Sequence, residues 1–125
     1  MSINKVILSG RLTADAVMKQ TPNNHTVTHF TLAINNGKDK EGNDRKADFP
    51  TCYVWNASPK FVEKYLKKGR KVLIEGSIKT RTYNKDDEKR YVTEVGVYKI
   101  EYADNKPPEE TTQFGPEIQE EDIPF

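Results

Sequence analysis

The sequence predicts an all-β fold: a small five-stranded Greek-key barrel with one helix between strands 3 and 4, followed by a disordered acidic tail. Three observations carry that expectation. Most of residues 5–102 alternates apolar and polar side chains at period two, the pattern of half-buried strands. Only one segment combines helical periodicity with start and stop signals. From Ala103 onward periodicity disappears among Pro, Glu, Thr and Gln, a composition that cannot bury enough apolar surface to order itself.

The first strand is Lys5 to Leu12, with Gly10 marking a bend or bulge, and it continues briefly through Val17-Met18 to a turn at Thr21-Pro22-Asn23-Asn24. Thr26 to Ile34, rich in β-branched residues, is the second strand. Asn36 to Ala47 is polar, charged and glycine-containing, as in a mobile loop, and Phe49 to Trp55 is the third strand. The helix starts at the N-cap Ser58 with Pro59 in its first position and stops at Gly69. It places Phe61, Val62, Tyr65 and Leu66 on one face. Arg70–Tyr83 and Arg90–Tyr102 are the fourth and fifth strands, a long hairpin joined across Asn84–Lys89. Five strands with a helix between the third and fourth is the layout of an OB-fold, and the absence of a βαβ rhythm argues against a parallel-sheet fold. The expected division is an OB-fold domain over residues 1–103 and an acidic tail over 104–125.

Charge separates along the same boundary. Residues 1–100 hold 19 Lys/Arg against 11 Asp/Glu, a net of +8, whereas residues 101–125 hold 1 Lys against 8 Asp/Glu, a net of −7. The near-neutral total of +1 therefore hides a body that attracts polyanions and a tail that repels them. The tail ends in Glu117-Ile118-Gln119-Glu120-Glu121-Asp122-Ile123-Pro124-Phe125. Carboxylates keep this run in water and Pro124 disfavours a helix or central strand, so Ile123 and Phe125 suit a basic, apolar pocket on another protein. A single cysteine, Cys52, excludes an intramolecular disulfide and fits a reducing compartment. With no apolar leader and no run approaching about 18 apolar residues, the expectation is a cytoplasmic protein.

The residues offer little for catalysis. His25 and His29 lie apart, no Cys/His spacing suits zinc, no glycine-rich phosphate loop is present, and Asp86-Asp87-Glu88 reads as a solvated turn. The expectation is no enzyme, no cofactor and no metal. Binding is better served. Strand parity groups Phe49, Thr51, Tyr53 and Trp55 on one face, and Lys79, Arg81 and Tyr83 on one face of the next strand. Aromatics among cations on an open sheet supply base-stacking platforms beside phosphate contacts. Phe49, Trp55 and Tyr83 are assigned to stacking; Tyr53, Tyr65 and Tyr98 are assigned to the core.

Asn4–Leu12, Phe30–Ala33, Tyr65–Gly69, Ile74–Arg81, Tyr91–Val95 and the terminal Asp122-Ile123-Pro124-Phe125 together resemble the bacterial and phage single-stranded DNA-binding proteins, over residues 3–102 and the tip. The resemblance implies an OB-fold homotetramer that binds single-stranded DNA without sequence preference in replication, recombination and repair, associated with the nucleoid. It places stacking on Phe49, Trp55 and Tyr83; Lys79, Arg81, Arg11 and Lys38 are expected as cationic contacts beside them. It also implies that Asp122, Ile123, Pro124 and Phe125 dock replication, repair and recombination proteins. Three departures stand out: Asn36-Gly37-Lys38 replaces a stacking aromatic, Pro50 replaces a polar subunit-contact residue, and the linker from Ala103 to Pro116 is short. Rival readings are a related OB-fold adaptor or RNA-binding domain, which the acidic Ile-Pro-Phe end argues against, and a metal-dependent nuclease, which lacks a convergent carboxylate/His set.

Overall fold

The computed structural model describes residues 2–103 and the backbone of residues 111–113. The elements run β1 Val6–Leu12, β2 Val17–Gln20, β3 Thr26–Ala33, β4 Thr51–Trp55, α1 Pro59–Tyr65, β5 Lys71–Lys85, β6 Glu88–Tyr102 and β7 Thr111–Gln113. The sheet order is β1-β5-β6-β4-β3-β2, and β1 also pairs with β3 through Arg11–Ala33 and Leu12–Leu32, which closes the barrel. All pairings are antiparallel except β4 with β6. The expected five-stranded barrel with one helix between its third and fourth wall strands is what forms, and it is closed.

Inward parity explains the core. Phe30 and Leu32 of β3, Cys52 and Val54 of β4, Val72 and Ile74 of β5, and Val95, Val97 and Ile100 of β6 pack together with Leu12. Helix α1 plugs one end with Val62 and Leu66. The Ser58 hydroxyl accepts a hydrogen bond from the Phe61 amide at 3.1 Å, satisfying one donor of the first turn. At the other end of α1, Ala16 N donates to Leu66 O at 3.0 Å, and Asp15 Oδ1 accepts from Lys68 N at 2.8 Å. The connection between β1 and β2 therefore anchors the helix. That backbone bond is also the largest cause holding the Asp15 carboxyl below its usual range. Burial pushes the Cys52 thiol up to about 12, which makes it an inert packing group, as its place in an apolar strand suggests.

Three details depart from the sequence expectation. The hairpin is tighter: β5 and β6 pair all the way to Lys85–Glu88, leaving Asp86 and Asp87 as a two-residue turn with φ of 52° and 63°. Both residues lie in the left-handed region that a hairpin of this length requires, which aspartate tolerates better than most side chains. Tyr98 is 40% exposed rather than in the core. Gly76 pairs with Val97 but Glu75 with Lys99, so Tyr98 is the extra residue of a bulge and turns outward. Within the expected tail, Thr111–Gln113 adds to β6 opposite Lys99–Glu101. Residues 104–110 and 114–125, including the tip, lie outside the described residues.

The bulge depends on close approach of two backbones. A Cβ placed on Gly76 would overlap the Gly96 carbonyl oxygen and come within 3.1 Å of Val97 Cα. Backbone cannot give way as a flexible side chain can. Gly76→Ala should therefore lower unfolding free energy by about 1–3 kcal/mol, read as an earlier urea midpoint. An unchanged midpoint would mean that the strands separate there at no cost.

Candidate nucleic-acid interface

Beyond the barrel, β5 and β6 continue as a two-stranded ribbon. Parallel pairing of β4 with β6 covers Cys52–Val95 to Val54–Val97, and residues 80–85 and 88–93 run past it for about 20 Å. The β3–β4 connection leaves from the same end, with bridges at Ile34–Asp48 and Lys38–Asp44. Phe49 lies two residues before β4, whose parallel pairing with β6 begins at Cys52–Val95, so it stands on the side of the sheet from which the ribbon leaves. One end of the barrel thus carries two arms, with Phe49 at the base of the β3–β4 arm.

The outer wall leading to the ribbon is polar and partly buried. Lys79 pairs with Glu94, Arg81 with Val92 and Tyr83 with Arg90, placing these side chains on one face. Glu94 is only 5% exposed, and its Oε1 accepts from Arg81 Nε at 3.0 Å. A carboxylate at that depth needs such a partner, since an unpaired buried charge is costly. His29 Nε2 stands 3.8 Å from the other Glu94 oxygen. The Arg81 guanidinium lies 5.7 Å from the centre of the Tyr83 ring, within cation–π range, and Tyr83 is 38% exposed. The arrangement presents an aromatic ring braced by a cation that is itself braced by a buried carboxylate.

The structure treats the other expected contacts unequally. Phe49 is 60% exposed and has a free ring to offer. Trp55 is 8% exposed and buried against Val27 and Tyr53, with the Tyr53 ring edge-on at 6.3 Å, so the open stacking platform expected of it is absent. Its strand position is outward, as parity requires, but Val27 lies directly across from it on β3 and covers it. Tyr53 is buried as assigned, its ring lying over Gly96, where a Cβ would meet the phenol oxygen at 3.1 Å. Tyr65 is half-buried between Phe61 and Tyr102. Lys38 is exposed on the β3–β4 arm, which is a compact hairpin with internal bonds such as Arg45 N to Gly37 O at 2.9 Å. That arm carries four Lys/Arg and four Asp/Glu over residues 35–48, so its charge is locally balanced. Arg11 donates to Gly69 O at 2.9 Å and sits opposite Lys71, at the far end of β5 from Tyr83. The structure sets Lys79, Arg81 and Tyr83 on one face of β5, with Phe49 exposed before β4 at the same end of the barrel; Arg11 is not among them.

The sequence profile of the single-strand binding protein family matches residues 3–103. The chain belongs to that family. Among its relatives, a single-stranded DNA-binding protein of Bacillus cereus is 41% identical over 103 residues, covering 82% of this chain and 61% of the relative. Single-stranded DNA-binding protein 3 of Streptococcus agalactiae is 33% identical over 98% of this chain and 99% of its own length. This chain thus spans about three-fifths of some family members and nearly all of another. A solved Plasmodium falciparum SSB complex with ssDNA superposes with a TM-score of 0.65 and 30% identity, covering 77% of this chain and 87% of that one. The family's proteins bind DNA without catalysing a reaction. Among the described residues, no cluster of His, Cys, Asp and Glu could hold a metal ion, and no helix is long and apolar enough to cross a membrane.

Two features of this region escaped the sequence. The buried pairing of Glu94 becomes visible only when the hairpin register is known. Tyr91, the most exposed aromatic side chain among the described residues, lies on the opposite face of the ribbon from Tyr83.

His29 supplies a pH test of the outer wall. Burial lowers its pKa from the ordinary 6.5, Glu94 opposes that shift, and Lys19 and Arg81 reinforce it. The unfolded chain therefore takes up a proton at a higher pH than the folded chain does. Stability should fall as pH drops through 6.5 towards the lower folded value, with no contribution above it. Urea midpoints measured from about pH 7.5 to about pH 5.5 should decline less steeply in His29→Gln than in the parent. Equal slopes would assign the acid sensitivity to other groups.

Proposed function

We propose that this protein coats single-stranded DNA without sequence preference and works in replication, recombination and repair. The observation that carries the reading is the exposed Tyr83 ring braced by Arg81 on a ribbon projecting from the barrel, with Phe49 exposed at the same end. Unpaired bases can lie on such rings whatever their identity, whereas bases inside a duplex cannot reach them. Phosphates are met by Lys79, Arg81 and the wider positive body. Two family members carry the same activity in their names, and a structural relative was solved with ssDNA.

The DNA-binding unit is a homotetramer on this reading. Val6 to Ser9 of β1 pair with β5 on one side, while pairing of β1 with β3 begins only at Arg11. The strand therefore offers an edge to a second copy. Ile7 and Tyr98 are exposed on the same outer surface, beside the Lys5–Glu75–Lys99 ion network, and supply apolar area for that contact. Pro50 does not obstruct this edge, since it lies at the β3–β4 end, where its carbonyl accepts from Leu32 N at 3.1 Å.

Titration of oligo(dT), duplex of equal length and RNA at several salt concentrations tests the DNA reading. Single-stranded DNA should bind more tightly than duplex, with log affinity falling by about 0.7 per phosphate neutralised for each decade of salt. Tyr83→Ala and Phe49→Ala should each weaken binding by about 1–3 kcal/mol. Equal affinity for duplex, or no salt slope, would refute the assignment.

The tail tip, Asp122-Ile123-Pro124-Phe125, is proposed to dock replication, repair and recombination proteins, the aromatic ring entering an apolar pocket rimmed by Lys or Arg. Deleting Phe125 alone should abolish capture of such a protein in a pull-down while leaving single-stranded DNA affinity intact. Loss of DNA binding with retained capture would place the tip in the DNA site instead.

A further inference from the structure

Tyr91 has no role in the site described so far. It is 75% exposed, on the part of β6 that has left the barrel, with Lys89 Nζ 5.8 Å from its ring centre. Tyr83 and Arg81 form the same pairing of ring and cation at 5.7 Å on β5. The register sets Tyr91 across from Thr82 and Tyr83 across from Arg90, so the two rings occupy adjacent rungs on opposite faces of the ribbon.

The two faces differ chemically. On the Tyr83 face, Lys79, Arg81, Lys85 and Arg90 share space with Glu88 and Glu94, and Arg90 is bonded to Glu88 at 2.9 Å. On the Tyr91 face, the projecting residues are Thr80, Thr82, Asn84, Lys89 and Thr93. That face has one cation, several hydroxyl and amide donors and no carboxylate. A lone aromatic among threonines offers a π-face but little contiguous apolar area, so it suits a base with its flanking phosphates better than a protein surface.

We infer that Tyr91, assisted by Lys89, is a second base-stacking site, and that single-stranded DNA turns around the edge of the β5–β6 ribbon to use both faces. The inference rests on the proposed single-stranded DNA-binding function and adds a site to it. The ribbon is only two strands wide, about 4.8 Å between strand axes, so an extended single strand can round it while duplex cannot.

The test uses the full-length protein with fluorescent oligo(dT) long enough for one protein particle, at low occupancy so that neighbouring particles do not touch. Tyr91→Ala should weaken binding by about 5- to 150-fold, as Tyr83→Ala does, and Tyr91→Phe should restore near-parental affinity. Photocrosslinking with iodouridine-substituted DNA should attach to both Tyr83 and Tyr91. Unchanged single-particle affinity in Tyr91→Ala, or crosslinks confined to Tyr83, would overturn the inference. So would a Tyr91→Ala protein that loses only cooperative filling of long DNA, which would make this face a contact between copies. Failure of the parent protein to bind any of the oligonucleotides would instead remove the underlying reading. Unchanged urea midpoints in the variants would confirm that folding is not the cause.

Discussion

The pairing of β5 with β6 is the constraint on which the rest of the molecule depends, because the same two strands wall the barrel and then leave it. Their inner side chains, Val72, Ile74, Val95, Val97 and Ile100, lie in the hydrophobic core. Their outer side chains form the candidate binding face once the ribbon clears β4. The register is set by the Asp86-Asp87 turn at one end and reset by the bulge at Gly76 and Tyr98 near the other. A one-residue slip would exchange the two faces of the ribbon, moving Tyr83 and Arg81 away from Glu94. The core therefore holds the site in register: sliding the ribbon would pull Val95 and Val97 out of the apolar interior.

That coupling gives the outer wall its electrostatic character. Burying Glu94 would be unfavourable alone, and Arg81 offsets the cost through a charge-assisted hydrogen bond. In return Arg81 is held at a defined position beside Tyr83 instead of sampling the many rotamers of an exposed arginine. Part of the entropy that an arginine loses on meeting a phosphate has then been lost during folding. A phosphate reaching Arg81 must, however, share it with Glu94, so this cation acts more as a positioned brace for the ring than as an unencumbered phosphate ligand.

Much of this was legible in the sequence, and the reasons for the misses are specific. Period-two alternation and the Ser58–Pro59 start signal specified the strands and helix, because each is a local property. Outward parity for Trp55 was right, but outward on a strand is not exposed. The covering residue, Val27, belongs to another strand, and only the β3–β4 register reveals it. Tyr98 was misplaced because a bulge breaks the alternation, and the glycine opposite it, Gly76, was the available signal. The tight turn was hidden because Asp-Asp between polar neighbours lacks the glycine that usually marks two-residue hairpins. Arg11 carries the right charge but lies at the wrong end of the barrel, which no residue count can show.

Charge distribution shapes what kind of binding such a site supports. The β3–β4 arm is locally balanced, and residues 79–93 carry five Lys/Arg against three Asp/Glu, a surplus of only two. The +8 of residues 1–100 is therefore spread over the surface rather than concentrated beside the aromatic rings. Spread charge draws a polyanion in from a distance but fixes no register, and at physiological salt it is screened beyond about 8 Å. On the proposed function, short-range selectivity for unpaired strands would then fall to the rings, since stacking accepts any base. A tail of net −7 meets the same screening, so its electrostatic reach is likewise longest at low salt. On the proposed function, dispersed cations with a few braced aromatics would favour binding without sequence preference, which is what a coat for arbitrary sequence requires.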